Sequence, residues 1–485
     1  MRNHHTFTLL AALAVTTIVP RSAFGQLVAH GARSIGLGGA NPASVVGQYA
    51  INLNPSRLAG ANSGFRKVGL SIGGVSVFAG GPLVQFRAYN DAFTSGSVIT
   101  HEEGRAIVED WFGSASLQSI KRIGIQAETV PVAFAMHLGK MGIGVGLRTR
   151  TYGQLGINGG WVDLLVVGTG EERTLPLNAD MSMTNMTDIS VGIARSFMGG
   201  RLSVGITPRL VLGSDYSRMQ LESAATVTST SVVHDFEYQI QSAGSVNRDV
   251  LSQVNLFQSD PFGSGTFSPN PFESAGKGFG LDFGVRYAYS NRIELAASVT
   301  DLGSITWSGD AATYSPVNDQ FMFDGIELDL SELQDDFDND FGEYLSSQLD
   351  SLARTAYEET ESVPGSFKTS LPTRLHVGSS WSMLRGKALL TAGGSVAANT
   401  VPGNVSRNPS MHVGAEYQIG GRFFSMPVRG GVQIGGSGAM TLAFGFGVHI
   451  GPYRMDLGVA ATPTTTTGGQ GGRYIVGASL LNVMF

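Results

Sequence analysis

A period of two is the feature of this chain that most limits what it can fold into. In LDFGVRYAY, Leu281, Phe283, Val285, Tyr287 and Tyr289 share one face of an extended chain, and Asp282, Gly284, Arg286 and Ala288 share the other. After a short turn at Asn291 and Arg292, Ile293, Leu295, Ala297 and Val299 alternate with Glu294, Ala296, Ser298 and Thr300. Two such runs joined this tightly predict an antiparallel hairpin. The same alternation returns over 141–148, 202–213, 411–419, 441–450 and 453–460.

In any one strand a soluble β-sandwich would read the same way, so the surroundings must decide. Charged residues are only 14%, against about 25% in ordinary soluble domains, and glycine is abundant at 66 residues. Beyond the first 25 residues no apolar run of about 18 appears, which excludes membrane-spanning helices. A closed barrel satisfies every backbone group between strands, and it is the remaining way for such a chain to sit in lipid. The expected fold is an all-β transmembrane antiparallel barrel of about 14 strands (12–16), spanning residues 64–485, with its first strand near Phe65. The second face then lines the lumen. It carries Arg148, Arg209, Asp282, Arg286, Glu294, His412, Glu416, His449, Arg454 and Asp456 among many glycines. Arg195 falls on an apolar face and is expected near a membrane interface, because a lipid-facing arginine at the midplane costs about 2–4 kcal/mol. On these faces Leu281→Arg should block membrane assembly, whereas Asp282→Asn should be tolerated.

Both ends of the chain fit export to an outer membrane. Residues 1–25 read as a signal peptide: Arg2, an apolar stretch over 8–19, and a small-x-small site ending at Gly25. The final strand is expected to place Ile475, Leu481, Val483 and Phe485 on one face, and its terminal aromatic resembles the signal read by the barrel-assembly machinery. Cysteine is absent, so no disulfide framework or lipid-anchor cysteine is expected. The formal charge is −6 and no basic stripe stands out, so nucleic acid is not an expected partner.

Two short loop helices are expected near 100–113 and 331–359. Thr100 with Glu103, and Ser331 with Gln334, have capping-box spacing. The second helix carries an apolar stripe from Leu333 to Ala356, suited to packing on the barrel mouth or to docking a partner. Residues 224–274 read as an extended hairpin or loop beyond the membrane. Asp336, Asp338 and Asp340 do not make a calcium loop, because Gly342 stands at position seven and Ser347 at position twelve. Neither a Gly-x-Ser-x-Gly elbow nor a His-Glu-x-x-His pair occurs. His376, His412 and His449 are all expected on lumen faces. No cofactor, metal or enzymatic activity is expected.

The glycines of SIGLGGANPAS are close to a phosphate-cradling loop, but that loop needs a strand before it and a helix after it, which this chain does not offer. The stretch instead resembles the N-terminal segment of the long-chain fatty-acid transporter (FadL-like) barrels and their PorV-type relatives. The matching residues are Gly36, Gly38 and Gly39, then Asn54, Pro55 and Ser56. The resemblance implies a plug over 26–63, folded inside the barrel. A second resemblance covers residues 278–307, 371–381 and 447–461. These are similar to an uncharacterised outer-membrane family widespread in Bacteroidota, a domain of unknown function, whose Asp-Leu-Gly-x-Ile-x-Trp signature closes a hairpin. Here the signature is Asp301, Leu302, Gly303, Ile305 and Trp307.

Two functions follow as expectations. One is a plugged, porin-like conduit for small or hydrophobic molecules in the outer membrane, although charged inward faces depart from a greasy channel. The alternative is a structural or secretion-associated barrel that docks partner proteins, through the helix at 331–359 and the segment 224–274.

Overall fold

A computed structural model of the protein describes residues 31–59, 67–83, 100–112, 117–167, 172–228, 231–244, 274–323, 360–401, 403–404, 407–421, 423–436, 440–462 and 472–485. The expected signal peptide and the helix expected at 331–359 lie outside the described residues.

Fourteen strands close into one antiparallel barrel. In chain order they are β1 (Val68–Gly81), β2 (Lys121–Leu138), β3 (Met141–Ile157), β4 (Ala179–Phe197), β5 (Leu202–Val227), β6 (Gly276–Ala288) and β7 (Ile293–Trp307). They continue as β8 (Arg374–Met383), β9 (Ala388–Ala397), β10 (Ser410–Gly420), β11 (Phe424–Gly435), β12 (Thr441–Ile450), β13 (Tyr453–Ala461) and β14 (Gly472–Met484). Each pairs with its neighbours in this order, and the ring closes between β1 and β14, where Val77 stands opposite Val476. One end of the barrel has tight turns, with Gly139 at φ 62° and Gly451 at φ 58° in the left-handed region that short hairpin turns require. The other end carries the long connections.

The alternation read from the sequence sorts the side chains as expected. Ile72, Val145, Val191, Ile206, Phe283, Leu295, Val377, Val413, Phe444 and Val476 all point outward and are exposed. An apolar band of this extent would not persist in water, so the outer surface is one that faces lipid. Arg195 also points outward, two residues before β4 ends, with its guanidinium 5.5 Å from the Phe197 ring centroid. The band explains why so few charges suffice for a chain this long.

The wall is uneven. Strands β8, β9, β12 and β13 have 9 or 10 residues, close to the minimum for a tilted membrane strand. β5 has 26 residues and stands well clear of any bilayer. Its far half pairs with Val232–Ala243 and with Arg173–Pro176, and Ala312–Pro316, Gln320–Phe323 and Thr360–Pro364 extend that sheet. The hairpin expected after residue 224 is this extension; residues 245–273 lie outside the described residues.

Among the described residues two helices sit in the long connections: α3 (His101–Phe112) and α4 (Gly159–Val166). Two earlier ones, α1 (Ala32–Gly36) and α2 (Ala50–Leu53), lie inside the barrel. The capping box of α3 forms as the spacing predicts: Thr100 N–H donates to Glu103 Oε2 at 2.8 Å, and Glu103 N–H donates to Thr100 Oγ1 at 3.3 Å. α3 packs on α4 through Val108, Phe112 and Val162, a partner the sequence reading did not foresee.

Three expectations need correction. Ile475 does not share a face with Leu481. Both Leu480 and Leu481 are exposed, so the alternation slips by one between them and turns Ile475 inward, against Ile35 and Phe78. The Asp301–Trp307 signature does not close a hairpin either; the turn lies at 289–292, and the signature ends β7 at the opposite end of the barrel. Finally, the tolerance expected of Asp282→Asn does not suit a lumen-facing carboxylate that is buried and paired, as described below.

Candidate functional site in the filled lumen

The inner wall is shaped around the chain's own N-terminal segment. Residues 31–59 run through the lumen as α1, a connection over 37–46, a 3-10 turn at Gly47–Tyr49, α2 and a second 3-10 turn at Pro55–Leu58. Ile35, Leu37, Ile51, Leu53 and Leu58 are fully buried. Where the segment touches the wall, the inward residues are glycine. A Cβ on Gly445 would come within 3.0 Å of the Gly36 backbone. On Gly378, Gly205 and Gly284 it would run into Asn41, Pro55 and Asn54. Close backbone approach therefore accounts for the glycine-rich lumen face.

The motif residues are seated in this contact. Gly36 lies on Gly445, Gly38 (φ 81°) on the backbone of Val432, and Gly39 on the ring of His412, where a Cβ would stand 2.8 Å from Nδ1. Asn54 caps the turn that Pro55 begins, accepting from Ser56 N–H at 3.2 Å and from the Ser56 hydroxyl at 2.7 Å.

Polar latches hold the segment to the wall. Arg33 donates to both oxygens of Glu416, at 2.8 and 3.0 Å, and Arg429 donates to the same carboxylate at 2.6 Å. Arg57 pairs with Glu294, which also pairs with Arg286. Gln48 donates to Asn482 at 2.8 Å, Tyr49 to Ser479 at 2.9 Å, and Asn41 to the Ala392 carbonyl at 3.0 Å. Burial pushes both plug arginines down. At Arg33 burial is the largest single influence, but the field and hydrogen bonds of Glu416 together with the field of Asp456 outweigh it and hold the group above its ordinary value. At Arg57 burial prevails over Glu294, with Arg286 adding to it, and the group sits below its ordinary value.

Beyond this segment, toward the long connections, a charged layer crosses the lumen. Arg148 and Arg150 hold Asp188 at 2.9 and 2.8 Å. Arg150, Arg209 and Arg148 converge on Asp301 at 3.0, 3.1 and 3.3 Å. Arg209 also pairs with Asp282. Asp301 is there because β7 bulges: its φ is 57°, an extra residue opposes the stretch from Leu281 to Phe283, and its N–H donates to Asp282 Oδ1 at 2.8 Å. Without the bulge Asp301 would follow Val299 onto the lipid face. The same slip turns Ile305 and Trp307 inward, where Trp307 meets Tyr216 at a centroid distance of 5.3 Å and donates to Thr369 at 2.8 Å. The connection after β9 folds in as well: Asn404 accepts from Arg374 at 2.7 Å and donates to the Thr373 carbonyl at 3.1 Å, and Gly403 covers the Tyr152 ring.

Sequence reasoning placed Arg148, Arg209, Asp282, Arg286, Glu294, His412, Glu416, His449, Arg454 and Asp456 inside, and all ten point there. It missed Arg33, Arg57, Arg150, Asp188 and Asp301. Arg150 and Asp188 stand at inward positions of their strands and were legible; Asp301 is not, because only the bulge brings it in. The three histidines are not assembled: His376 faces Thr300 at 3.3 Å, His412 packs on Gly39, and His449 bonds Asp456 at 3.2 Å. At the tight-turn end, a cavity of about 210 Å³ remains between the plug and β10–β14, lined by Arg33, Tyr49, Glu416, Arg429, His449, Arg454 and Asp456.

Residues 64–459 match the family described as Family of unknown function (DUF5723). No curated protein matches the chain. Similar solved structures include the Pseudomonas putida toluene transporter TodX, 12% identical, covering 95% of this chain and 99% of that one, with a TM-score of 0.46. A Pseudomonas aeruginosa FadL homologue is 10% identical, covering 96% and 100%, with a TM-score of 0.45. The CymD monoaromatic hydrocarbon channel is 12% identical, covering 95% and 99%, with a TM-score of 0.44. Likeness at this level leaves the solute of this chain open.

Proposed function

The chain belongs to the Family of unknown function (DUF5723), which lends it no activity, and we propose from the lumen itself that it is an outer-membrane conduit for small solutes, seen in its closed state. One observation carries this reading. The segment 31–59 fills the lumen yet contributes no strand to the wall, so it can move without breaking any rung of the barrel. Among the described residues its attachments are ion pairs, side-chain hydrogen bonds, close glycine contacts and apolar contacts such as Ile35 on Ile475, none of them a backbone rung of the sheet; the polar ones can be exchanged for water one at a time. A segment meant only to stiffen the barrel would gain more from joining the sheet. The lumen is polar along much of its length, which favours solutes with polar groups over purely hydrophobic ones.

The test uses planar bilayers and the absence of native cysteine. The protein without residues 31–59 should show stepwise conductance, and the intact protein only rare openings. A disulfide between Asn41→Cys and Gly378→Cys should abolish those openings until it is reduced; a Cβ on Gly378 lies 2.8 Å from Asn41 Cγ, so the two Cβ atoms are close enough to bridge. A plug-deleted barrel that is folded but electrically silent would overturn the reading.

Docking of partner proteins is the second reading, and the sheet extension favours it. Val317, Met322 and Val363 there are exposed, at the end of the barrel opposite the tight turns. Under that reading the sealed lumen is only a non-leaking pedestal, and plug deletion would change conductance without changing the physiological role.

A further inference from the structure

We propose that the cavity at the tight-turn mouth is a binding site for a small oxyanion, a carboxylate or a phosphate, with Arg454 as its principal charge partner. The inference rests on the conduit reading for its physiological meaning, since it assigns the solute class that approaches the plug from this end. Its physical basis is independent of that reading.

The argument is one of charge and pairing. Three arginines line the cavity, Arg33, Arg429 and Arg454, against two carboxylates, Glu416 and Asp456. Arg33 and Arg429 are committed: Arg33 clasps Glu416, and Arg429 reaches Glu416 at 2.6 Å and Asp456 at 2.8 Å. His449 approaches the same oxygen of Asp456, Oδ1, at 3.2 Å. Arg454 makes no side-chain hydrogen bond or ion pair among the described residues, although it faces the same cavity. A half-buried guanidinium without a partner retains its charge only by drawing on water or an anion. Its planar fork matches a carboxylate or phosphate edge in two parallel hydrogen bonds.

The surroundings complete a site rather than a bare charge. Tyr49 OH, Ser479 and Asn482 are neutral polar groups in the lining, Asn482 directly across the strand pair from Arg454, while Val45, Val46, Pro427 and Met484 supply apolar wall. About 210 Å³ admits a small solute, not a long acyl chain. Arg33 belongs to the plug, so an anion seated beside Arg454 also competes with Glu416 for the plug's own latch.

The experiment is calorimetric titration of the full-length protein in detergent with sodium benzoate and, separately, with inorganic phosphate, at constant ionic strength set by chloride. At least one of the two should bind saturably, and the preferred probe tells which oxyanion the cavity takes. Arg454→Gln should weaken that binding at least tenfold, with Arg454→Lys intermediate. Arg195→Gln, on the outer surface, should leave it unchanged. Folding of each variant is checked by heat-modifiable electrophoretic migration. No binding of either probe, or binding indifferent to Arg454→Gln in a folded barrel, overturns the proposal. Because binding is read without conductance, failure here leaves the conduit reading to its own test, and a silent plug-deleted barrel leaves the site to this one.

Discussion

At the scale of single residues, the buried charges matter most. Asp301 accepts from three arginines in a place where each side chain is almost completely withdrawn from water. Such a network adds little against an apolar substitute, but removing one member strands its partners, at about 3–5 kcal/mol. Asp301→Asn should therefore lower the unfolding free energy of the vesicle-inserted protein, read from urea titration, by that order, while Glu237→Gln, exposed on the sheet extension, should stay within about 0.5 kcal/mol. Equal midpoints would mean that the arginines find other anions. The tolerance expected for Asp282→Asn is withdrawn on the same ground. Asparagine there keeps an acceptor for Asp301 N–H but removes the charge facing Arg209.

At the scale of elements, the plug and the strands are fitted through glycine. Alanine at Gly284 would press on Asn54 Oδ1, the atom that caps the turn at Pro55. Alanine at Gly430, which points outward with nothing near its added methyl, touches no part of the plug. Gly284→Ala should leave barrel assembly intact and raise the frequency of bilayer openings several-fold, whereas Gly430→Ala should not. Identical traces would show that the wall does not hold the plug through this contact. The strands themselves were legible because a period of two survives in every one of them. The bulges at Asp301 and at Leu480–Leu481 were not. Each adds one residue to a run, and the alternation on either side of it stays regular.

At the scale of the whole molecule, the outer surface must satisfy lipid and the inner surface must satisfy charge. Val191→Arg, in the middle of β4, places a guanidinium in the apolar band at a cost of about 2–4 kcal/mol. Refolding into vesicles should fall accordingly, and Leu281→Arg should behave alike. Unimpaired refolding of both would mean that the exposed band does not meet acyl chains. Closure of the lumen is also a property of the whole. The plug, the arginine and aspartate layer, and the inward-folded connection after β9 come from distant parts of the chain, and each narrows the lumen at its own height, the plug most of all.

Residue order alone specifies the class of fold, the approximate number of strands and which side of a strand meets lipid, except beyond the bulges of β7 and β14. Those follow from alternation, from tight turns and from the scarcity of charge, all of them local or compositional. Even the plug motif was legible as glycine at 36, 38 and 39 and an Asn-Pro-Ser turn. Which inward charges meet is settled by the folded barrel. Arg33 finds Glu416 and Arg57 finds Glu294 across hundreds of residues, and Asp301 joins three arginines by way of a single left-handed residue. The physical reason is that strand alternation specifies a direction for each side chain, whereas its partner depends on barrel closure and on what fills the interior.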